Sequence, residues 1–502
     1  MQRAVTNPNV DLLLTAAAAR TLSPDEASAL GVAALEARRE EDVLKAVTLA
    51  VERSPHAATP WHVLGLLHRA IGDLAPALAA LDRAVALTPD SPVLIHARAR
   101  ATAEAGLDSL DWYARARALA PNDGDVILGH AAALDAARDH TAADALLAAM
   151  LANHPGWFAG HGALLRMRHA AGDPTWLAVL DAAIAGAPTD WRLHQLKISA
   201  LLRARHDAAT NAALHEARAW CGDQPPIRAL AAMAATEQGR LDAADAAFDA
   251  LDPLGDPTVT VHWLRHLLRR HQPERIAVLH GRLPAHSIDA AWPYLSLAWR
   301  LLDDPRHAWL DDSRLVRIID IGTDWPEFAR LADTLRALHV TRAQPLDQSV
   351  RGGTQTDGPL LSRIDPVIAA VRARLIDAVR DYIAALPPRD AAHPLLGRIP
   401  RHPRFAGSWS VRLSAGGRHD PHVHPEGWLS SAFYVALPSR SPDADVGRLT
   451  LGHPQASLET GLPAQQTIDP LPGRLVLFPS TMWHGTLPFP AGERLTVAFD
   501  VT

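Results

Sequence analysis

The chain has 502 residues, enough for about three domains at ~150 residues each. Hydrophobic residues make up 48% and charged residues 21%, which is ordinary globular composition and excludes a disordered or fibrous chain. The formal net charge of −6 argues against a nucleic-acid binder with a broad basic surface, and the single Cys221 excludes a disulfide framework and every multi-cysteine zinc or iron–sulfur site. Any metal must then be held mainly by His, Asp or Glu, and the cysteine usage fits a reducing, cytoplasmic compartment. No run approaches ~18 uninterrupted apolar residues, so no membrane-spanning helix is expected. Val10–Ala19, with Asp11 at its start and only Arg3 before it, reads as a first helix rather than a secretory signal. The basic residues are almost all arginine, with lysine only at Lys45 and Lys197, and with the alanine richness this suggests a GC-rich bacterial genome.

Through the first half, prolines follow Ala-rich helical stretches at Pro55, Pro89, Pro121, Pro155, Pro188 and Pro225. A period near ~34 residues is that of tetratricopeptide repeats, two antiparallel helices per unit. The clearest copy carries Trp61, Leu64, Gly65, Gly72, Ala77, Leu81, Ala84 and Pro89, and it resembles that family position by position. Gly65 and Ala77 are small where two helices cross closely, and Pro89 stops the second helix. Later copies are looser: Tyr113, Ala116 and Pro121 keep the second-helix signature, and a weak last unit runs through Gly239, Ala243, Ala247 and Phe248. Such arrays build a concave surface suited to a peptide or protein partner, against the bare alternative of a structural solenoid.

From Pro257 to about Asp304 the pattern stays helical without the period, as expected of a cap that joins the array to the C-terminal region. His262 and His266 are four apart on a helix, a spacing able to hold a metal. With no third ligand or glutamate base beside them, they read as an amphipathic surface pair.

After Arg314 the texture changes. Helical stretches at Trp325–Leu338 and Ile364–Leu386 give way to short alternating runs separated by Gly and Pro: Gly407–Leu413, Leu429–Leu437, Arg448–Gly452, Arg474–Phe478 and Arg494–Val501. Short strands with turn signals between them predict a sandwich, jelly roll or barrel. His422 and His424 are two apart, and on an extended segment both face one side. Among 26 histidines, about one such pair is expected by chance, so the pair alone means little.

Its surroundings carry more. A strand with Tyr434 comes next, then Gly447-Arg-Leu-Thr-Leu, Pro472-Gly-Arg-Leu-Val-Leu-Phe-Pro, His484, and finally Arg494 with Thr496 two residues on. This order of parts resembles the 2-oxoglutarate/Fe(II)-dependent oxygenases of the double-stranded β-helix, prolyl-hydroxylase-like superfamily, and is similar to bacterial proteins that join such a domain to tetratricopeptide repeats. Gln348–Thr356, Gly407–Leu413 and His424–Pro438 share the likeness, which covers roughly residues 311–502. The resemblance implies Fe(II) held by His422, His424 and His484, and 2-oxoglutarate and O₂ as co-substrates. It also implies that Arg494, Thr496 and Tyr434 hold the far carboxylate, and that a C–H bond is hydroxylated as 2-oxoglutarate is converted to succinate and CO₂. Arg494 offers the fork geometry a carboxylate needs, and Thr496 shares its strand parity.

One departure matters: the family pattern has Asp or Glu where this chain has His424. Three readings stay open for the third ligand. It is His424, or Asp420 in reversed order, or no third side chain at all, as in aspartyl β-hydroxylases, which also carry tetratricopeptide repeats. Tri-histidine iron also occurs in cupin-type dioxygenases that use no 2-oxoglutarate, and a repeat scaffold with an inactive barrel is a further alternative. His419 reads as a loop or substrate-side residue. The Arg351-Gly-Gly-Thr-Gln-Thr run reads as an irregular polar loop, with Arg351, Thr354 and Gln355 either as substrate contacts or as parts of a purely structural loop. Arg412 reads either as lining the barrel or as a solvated strand-face charge, and Trp409 and Trp428 read first as core residues and second as walls of the barrel's mouth. No nucleophile elbow, Walker loop or dinucleotide fingerprint is present.

The expected architecture is multidomain: an all-α tetratricopeptide solenoid over 1–255, a helical cap or linker over 256–310, and an α+β double-stranded β-helix (jelly-roll) oxygenase domain with supporting helices over 311–502. The expected function is a 2-oxoglutarate/Fe(II)-dependent dioxygenase that hydroxylates a peptide or protein recruited by the repeats, with no nucleic acid and no membrane involved.

Overall fold

The computed structural model describes residues 10–12, 14, 15, 22–340, 349–438 and 446–502. Gln348, one of the residues carrying the family likeness, lies outside them. In the expected first helix, residues 10–12, 14 and 15 are helical.

Seven helix pairs come after it, opening at Pro24, Ala58, Pro92, Gly124, Phe158, Trp191 and Pro225. Their sequences explain the ends. Ser23 and Glu26 form a capping box on Pro24–Ala37, and Asp123 and Asp190 cap Gly124–Ala136 and Trp191–Arg203 with their side chains. Where a pair closes, the turn runs through a left-handed residue, filled by glycine at Gly72, Gly106, Gly172 and Gly239 and by arginine at Arg38, Arg138 and Arg205. Gly65 is required by close approach, because a Cβ there would sit 2.6 Å from Leu81 Cγ on the paired helix.

The recurrent prolines have a second use. Trp61 Nε1 donates to the Pro55 carbonyl at 3.2 Å, and His161 and His194 bond the carbonyls of Pro155 and Pro188 at 2.9 and 2.8 Å. In these three units one side chain thus satisfies the carbonyl of the proline that follows the preceding helix. These buried histidines do structural work. The helix Pro257–Arg269 follows the last pair. His266 on it is 1% exposed, its Nε2 bonded to Asp245 at 2.7 Å and its Nδ1 near Thr236 at 3.3 Å. The expected surface pair with His262 is therefore corrected to a core contact, because the helix is covered by its neighbours.

By compactness the chain forms two units. The described residues up to Asn153 together with Gly358–Ala373 make one, in which Arg363 and Arg372 donate to the carbonyls of Gly106 and Ile71 at 3.2 Å. The second comprises His154–Asp357 and Arg374–Thr502. Its sheets carry the site. A six-stranded sheet runs in the order β1(Arg317–Asp320), β7(Arg474–Pro479), β4(Leu429–Ala436), β9(Arg494–Val501), β3(Phe405–His419), β2(Val350–Gln355). A three-stranded sheet runs β6(Gln466–Ile468), β5(Leu449–Leu451), β8(His484–Thr486). All pairings are antiparallel, giving the two-sheet jelly roll of a double-stranded β-helix.

Strands β1, β6 and β8 are three or four residues long, too short to show alternation. Strand β2 corrects the expected polar loop. The run from Val350 pairs along β3, with a bulge between Arg351 and Gly353. Gly352 has φ +67, and a side chain on Gly353 would clash with the Arg412 carbonyl, so these glycines admit the neighbouring strand rather than a ligand. The helix Ile288–Leu301 packs on the barrel through one core that includes Trp292, Tyr294, Trp299, Leu458 and Trp483. There Trp483 Nε1 donates to the Pro293 carbonyl at 3.2 Å and its ring meets Tyr294 edge-on at 5.7 Å.

Candidate metal centre

His484 opens β8, and its backbone forms an isolated antiparallel bridge with His422, the two N–H groups donating at 2.9 and 3.0 Å. His424 N donates to the Ser480 carbonyl at 3.0 Å, and the chain then turns at Gly427, where a Cβ would lie 2.6 Å from Ser480 Oγ. Three imidazoles are thereby gathered: ring centroids are 4.2 Å apart for His422 and His484, 5.0 Å for His422 and His424, and 5.1 Å for His424 and His484. One nitrogen from each lies within 4.8 Å of the others, and this is the one such group of potential metal ligands among the described residues.

The outer nitrogens are all engaged. His422 Nδ1 donates to the Asp420 carbonyl at 2.9 Å, His484 Nδ1 to the Met482 carbonyl at 3.0 Å, and His424 Nδ1 to the Asp500 carboxylate at 2.7 and 2.8 Å. Because carbonyls and carboxylates only accept, each Nδ1 carries the hydrogen and each Nε2 presents its lone pair. This is how a protein fixes imidazole tautomers for a metal, so the residues present fit a ferrous ion. Burial and the neighbouring imidazole of His424 press His422 down to about 3, and burial with the other imidazoles holds His484 well below the ordinary range. Neutral rings are the ligating form.

The same barrel holds a second buried constellation. Arg494 is 3% exposed, donates from Nη1 to the Gly447 carbonyl at 2.8 Å, and stacks its guanidinium 5.0 Å from the centroid of the Tyr434 ring. Burial lowers its proton affinity, and burial raises that of Tyr434. The Tyr434 hydroxyl is buried without a hydrogen-bond partner, and no carboxylate among the described residues pairs with Arg494. Thr496 is buried two residues along the same strand, opposite Tyr434 in register. A buried cation beside an unbonded hydroxyl is the chemistry of an anion site.

Other expected residues fall elsewhere. Asp420 is outside the triad, its carboxylate 2.9 Å from Arg351 Nε and 3.0 Å from Arg418 Nε. Arg412 is exposed, with Nε 2.5 Å from Glu493, on the face of β3 opposite to the buried Val411 and Leu413. Trp428 donates to the Leu395 carbonyl at 2.9 Å and packs on Tyr382, whereas Trp409 stands 5.7 Å from the His424 ring. Thr354 Oγ1 is bonded to His339 at 2.8 Å, and Gln355 lies opposite Val411 in the β2–β3 ladder. His419 ends β3, stacked 5.7 Å from His422 with Nδ1 3.0 Å from Ser349 Oγ, which itself lies 3.3 Å from His422 Nε2.

Sequence reading missed Ser349 and Asp500. Asp500 had a signal: it shares strand parity with Arg494 and Thr496, so all three face one side of β9.

Several solved structures are similar to parts of this chain. A prolyl-4-hydroxylase structure from Pseudomonas putida is 18% identical, covers 39% of this chain and 97% of its own, with a TM-score of 0.25. HygX from Streptomyces hygroscopicus, solved with nickel, 2-oxoglutarate and hygromycin B, is 16% identical over 39% of this chain and 86% of its own, with a TM-score of 0.27. A tetratricopeptide repeat protein from Parabacteroides merdae is 15% identical over 48% of this chain and 96% of its own, with a TM-score of 0.31. No curated protein matches this chain. Residues 407–500 match the family model described as "Putative 2OG-Fe(II) oxygenase". The chain therefore carries a 2OG-Fe(II) oxygenase family domain after a tetratricopeptide-type helical array.

Proposed function

We propose that this protein is a 2-oxoglutarate- and Fe(II)-dependent dioxygenase that hydroxylates a peptide or protein recruited by its repeats. Residues 1–255 would serve as the recruiting array, 256–310 as its cap and 311–502 as the catalytic domain. The observation that carries the reading is three imidazoles with one nitrogen each within 4.8 Å of the others, in the same barrel as the buried Arg494–Tyr434 pair. His422, His424 and His484 would hold Fe(II), leaving positions open for a bidentate co-substrate and O₂. Arg494 would take the distal carboxylate of 2-oxoglutarate bidentately, and the Tyr434 and Thr496 hydroxyls would add hydrogen bonds in a dry cavity. When bound, the iron supplies the oxidising chemistry that couples decarboxylation of 2-oxoglutarate to substrate oxidation. The chain's own part is positioning: fixed tautomers at the triad, a fixed cation at Arg494, and exclusion of water by Phe478 against His484 at 4.8 Å.

Anaerobic titration of 2-oxoglutarate into the Fe(II) protein tests this. A saturable visible charge-transfer band is the expected result. Iron binding without a band would move a tri-histidine dioxygenase that uses no 2-oxoglutarate ahead, and failure to bind iron would leave a binding scaffold. For the substrate, peptides selected from a displayed library by the full chain should gain one oxygen on turnover, read by mass spectrometry. Selected peptides that stay unmodified while 2-oxoglutarate is consumed would refute the peptide assignment.

A further inference from the structure

A ferrous site with two histidines and a carboxylate carries one negative charge among its protein ligands, whereas three neutral imidazoles carry none. The missing charge is present one imidazole further out. Asp500 bonds His424 Nδ1 through both carboxylate oxygens, at 2.8 and 2.7 Å, and its side chain is 15% exposed. Its other side-chain partner among the described residues is Ser430, whose hydroxyl donates to Oδ1 at 2.6 Å and is itself 2.8 Å from Ser480 Oγ. No arginine or lysine among the described residues pairs with it; it bonds the ring of His424, and its charge also reaches His422.

The backbone is built to hold this pair. Ser430 and Asp500 are opposite one another in the β4–β9 ladder, and Ser480, next to them through Ser430, accepts the His424 amide. Gly427 leaves the room: a Cβ there would meet Ser480 and lie 3.5 Å from Asp500 Cβ. A carboxylate accepting the outer N–H of a ligating imidazole makes the inner nitrogen a stronger donor and fixes the ring plane.

We propose that Asp500 is the charge-supplying positioning residue of the metal centre: the carboxylate that the triad lacks acts through His424 instead of binding the ion. The inference rests on the proposed iron site and deepens it. Asp500 does not touch the ion and is not a catalytic residue. It turns His424 into a ligand with part of the character of a carboxylate, so that the ion and a bound dicarboxylate meet the same total charge as in a two-histidine, one-carboxylate site.

Asp500→Asn is nearly isosteric and removes only the charge. With the full chain, Fe(II) affinity is measured by anaerobic titration alongside thermal unfolding, and the position of the 2-oxoglutarate charge-transfer band is recorded. The variant is expected to unfold like wild type, to bind Fe(II) about 10- to 100-fold more weakly, and to show the band at shorter wavelength because its iron is poorer in electrons. Asp500→Glu should recover most of the affinity. The His424→Asp/Asp500→Asn double variant, which moves the carboxylate into the ligand set, should, when folded, bind Fe(II) at least as well as Asp500→Asn; should Asp500→Asn fail to fold, Asp500→Glu decides, and a folded Asp500→Glu protein with less than a tenth of the wild-type Fe(II) affinity would overturn the proposal. A folded Asp500→Asn protein with Fe(II) affinity within threefold of wild type and an unshifted band would overturn the proposal. So would a folded double variant that binds no iron. Wild type that binds Fe(II) but gives no band removes the co-substrate reading alone, and Asp500 is then judged by Fe(II) affinity. Wild type that binds no Fe(II) overturns both.

Discussion

Arg494→Met separates a ligand-binding arginine from a structural one. The native guanidinium is buried with no carboxylate partner among the described residues, a state that costs several kcal/mol of lost hydration. Against that stand one charge-assisted hydrogen bond to Gly447, about 1.5–3 kcal/mol, and stacking on Tyr434, about 1–2 kcal/mol when desolvated. The opposing contributions nearly cancel. Methionine, which fills similar space without a charge, should therefore change the stability of the ligand-free protein by no more than about 1–2 kcal/mol in either direction. With a dicarboxylate bound, the same residue makes a buried ion pair whose loss costs about 3–5 kcal/mol. At about 1.4 kcal/mol per tenfold, that weakens 2-oxoglutarate binding by about 100- to 1,000-fold or more. Thermal unfolding with and without 2-oxoglutarate, together with calorimetric titration of the metal-loaded protein, reads both quantities. An Arg494→Met protein that loses more than about 3 kcal/mol of ligand-free stability while binding 2-oxoglutarate normally would show the guanidinium to be a strut.

Three further outcomes are expected. His484→Ala removes one of three ligands and should abolish stoichiometric Fe(II) binding in an equilibrium titration, with the unfolding midpoint of the metal-free protein little changed; retained one-to-one binding would refute the triad. Gly353→Ala forces a Cβ toward the Arg412 carbonyl across the β2–β3 ladder and should cost about 1–3 kcal/mol in chemical denaturation, an unchanged midpoint being the contrary result. His339, which bonds Thr354 and Ser410, is pressed down to about 4 by burial and by the Arg412 charge. Its folded pKa is below its unfolded one, so the unfolded chain takes up the proton first and stability falls as pH drops from about 6.5 to about 4. Allowing for screening at this half-buried site, the loss is about 1–2 kcal/mol, and His339→Gln should flatten that limb of the stability profile.

Much of this was legible in the chain because its patterns are local. The ~34-residue period reports helix pairs that bury one another's faces, and Pro55, Pro155 and Pro188 follow helix ends, their own carbonyls bonded by a neighbouring side chain. The longer strands β3, β4, β7 and β9 showed themselves by alternation, and His422 with His424 by their spacing of two. Less was legible where the signal is short or non-local. Strands β6 and β8 have three residues each, too few for any period, and β2 hides its ladder behind glycines that serve a bulge.

The sequence by itself determined the two architectures, the order of the parts and the residue types able to hold iron, since periodicity and composition belong to neighbouring residues. Only the tertiary structure decided which nitrogen of His424 faces inward, because that depends on Asp500 far along the chain, whereas His422 and His484 bond the carbonyls of Asp420 and Met482 two residues before them. It likewise paired Arg412 with Glu493 and Asp420 with Arg351 and Arg418, and set Arg494 in the interior against the face of Tyr434. A charge's meaning is set by what surrounds it in space, and that is fixed by strand register and packing rather than by distance along the chain.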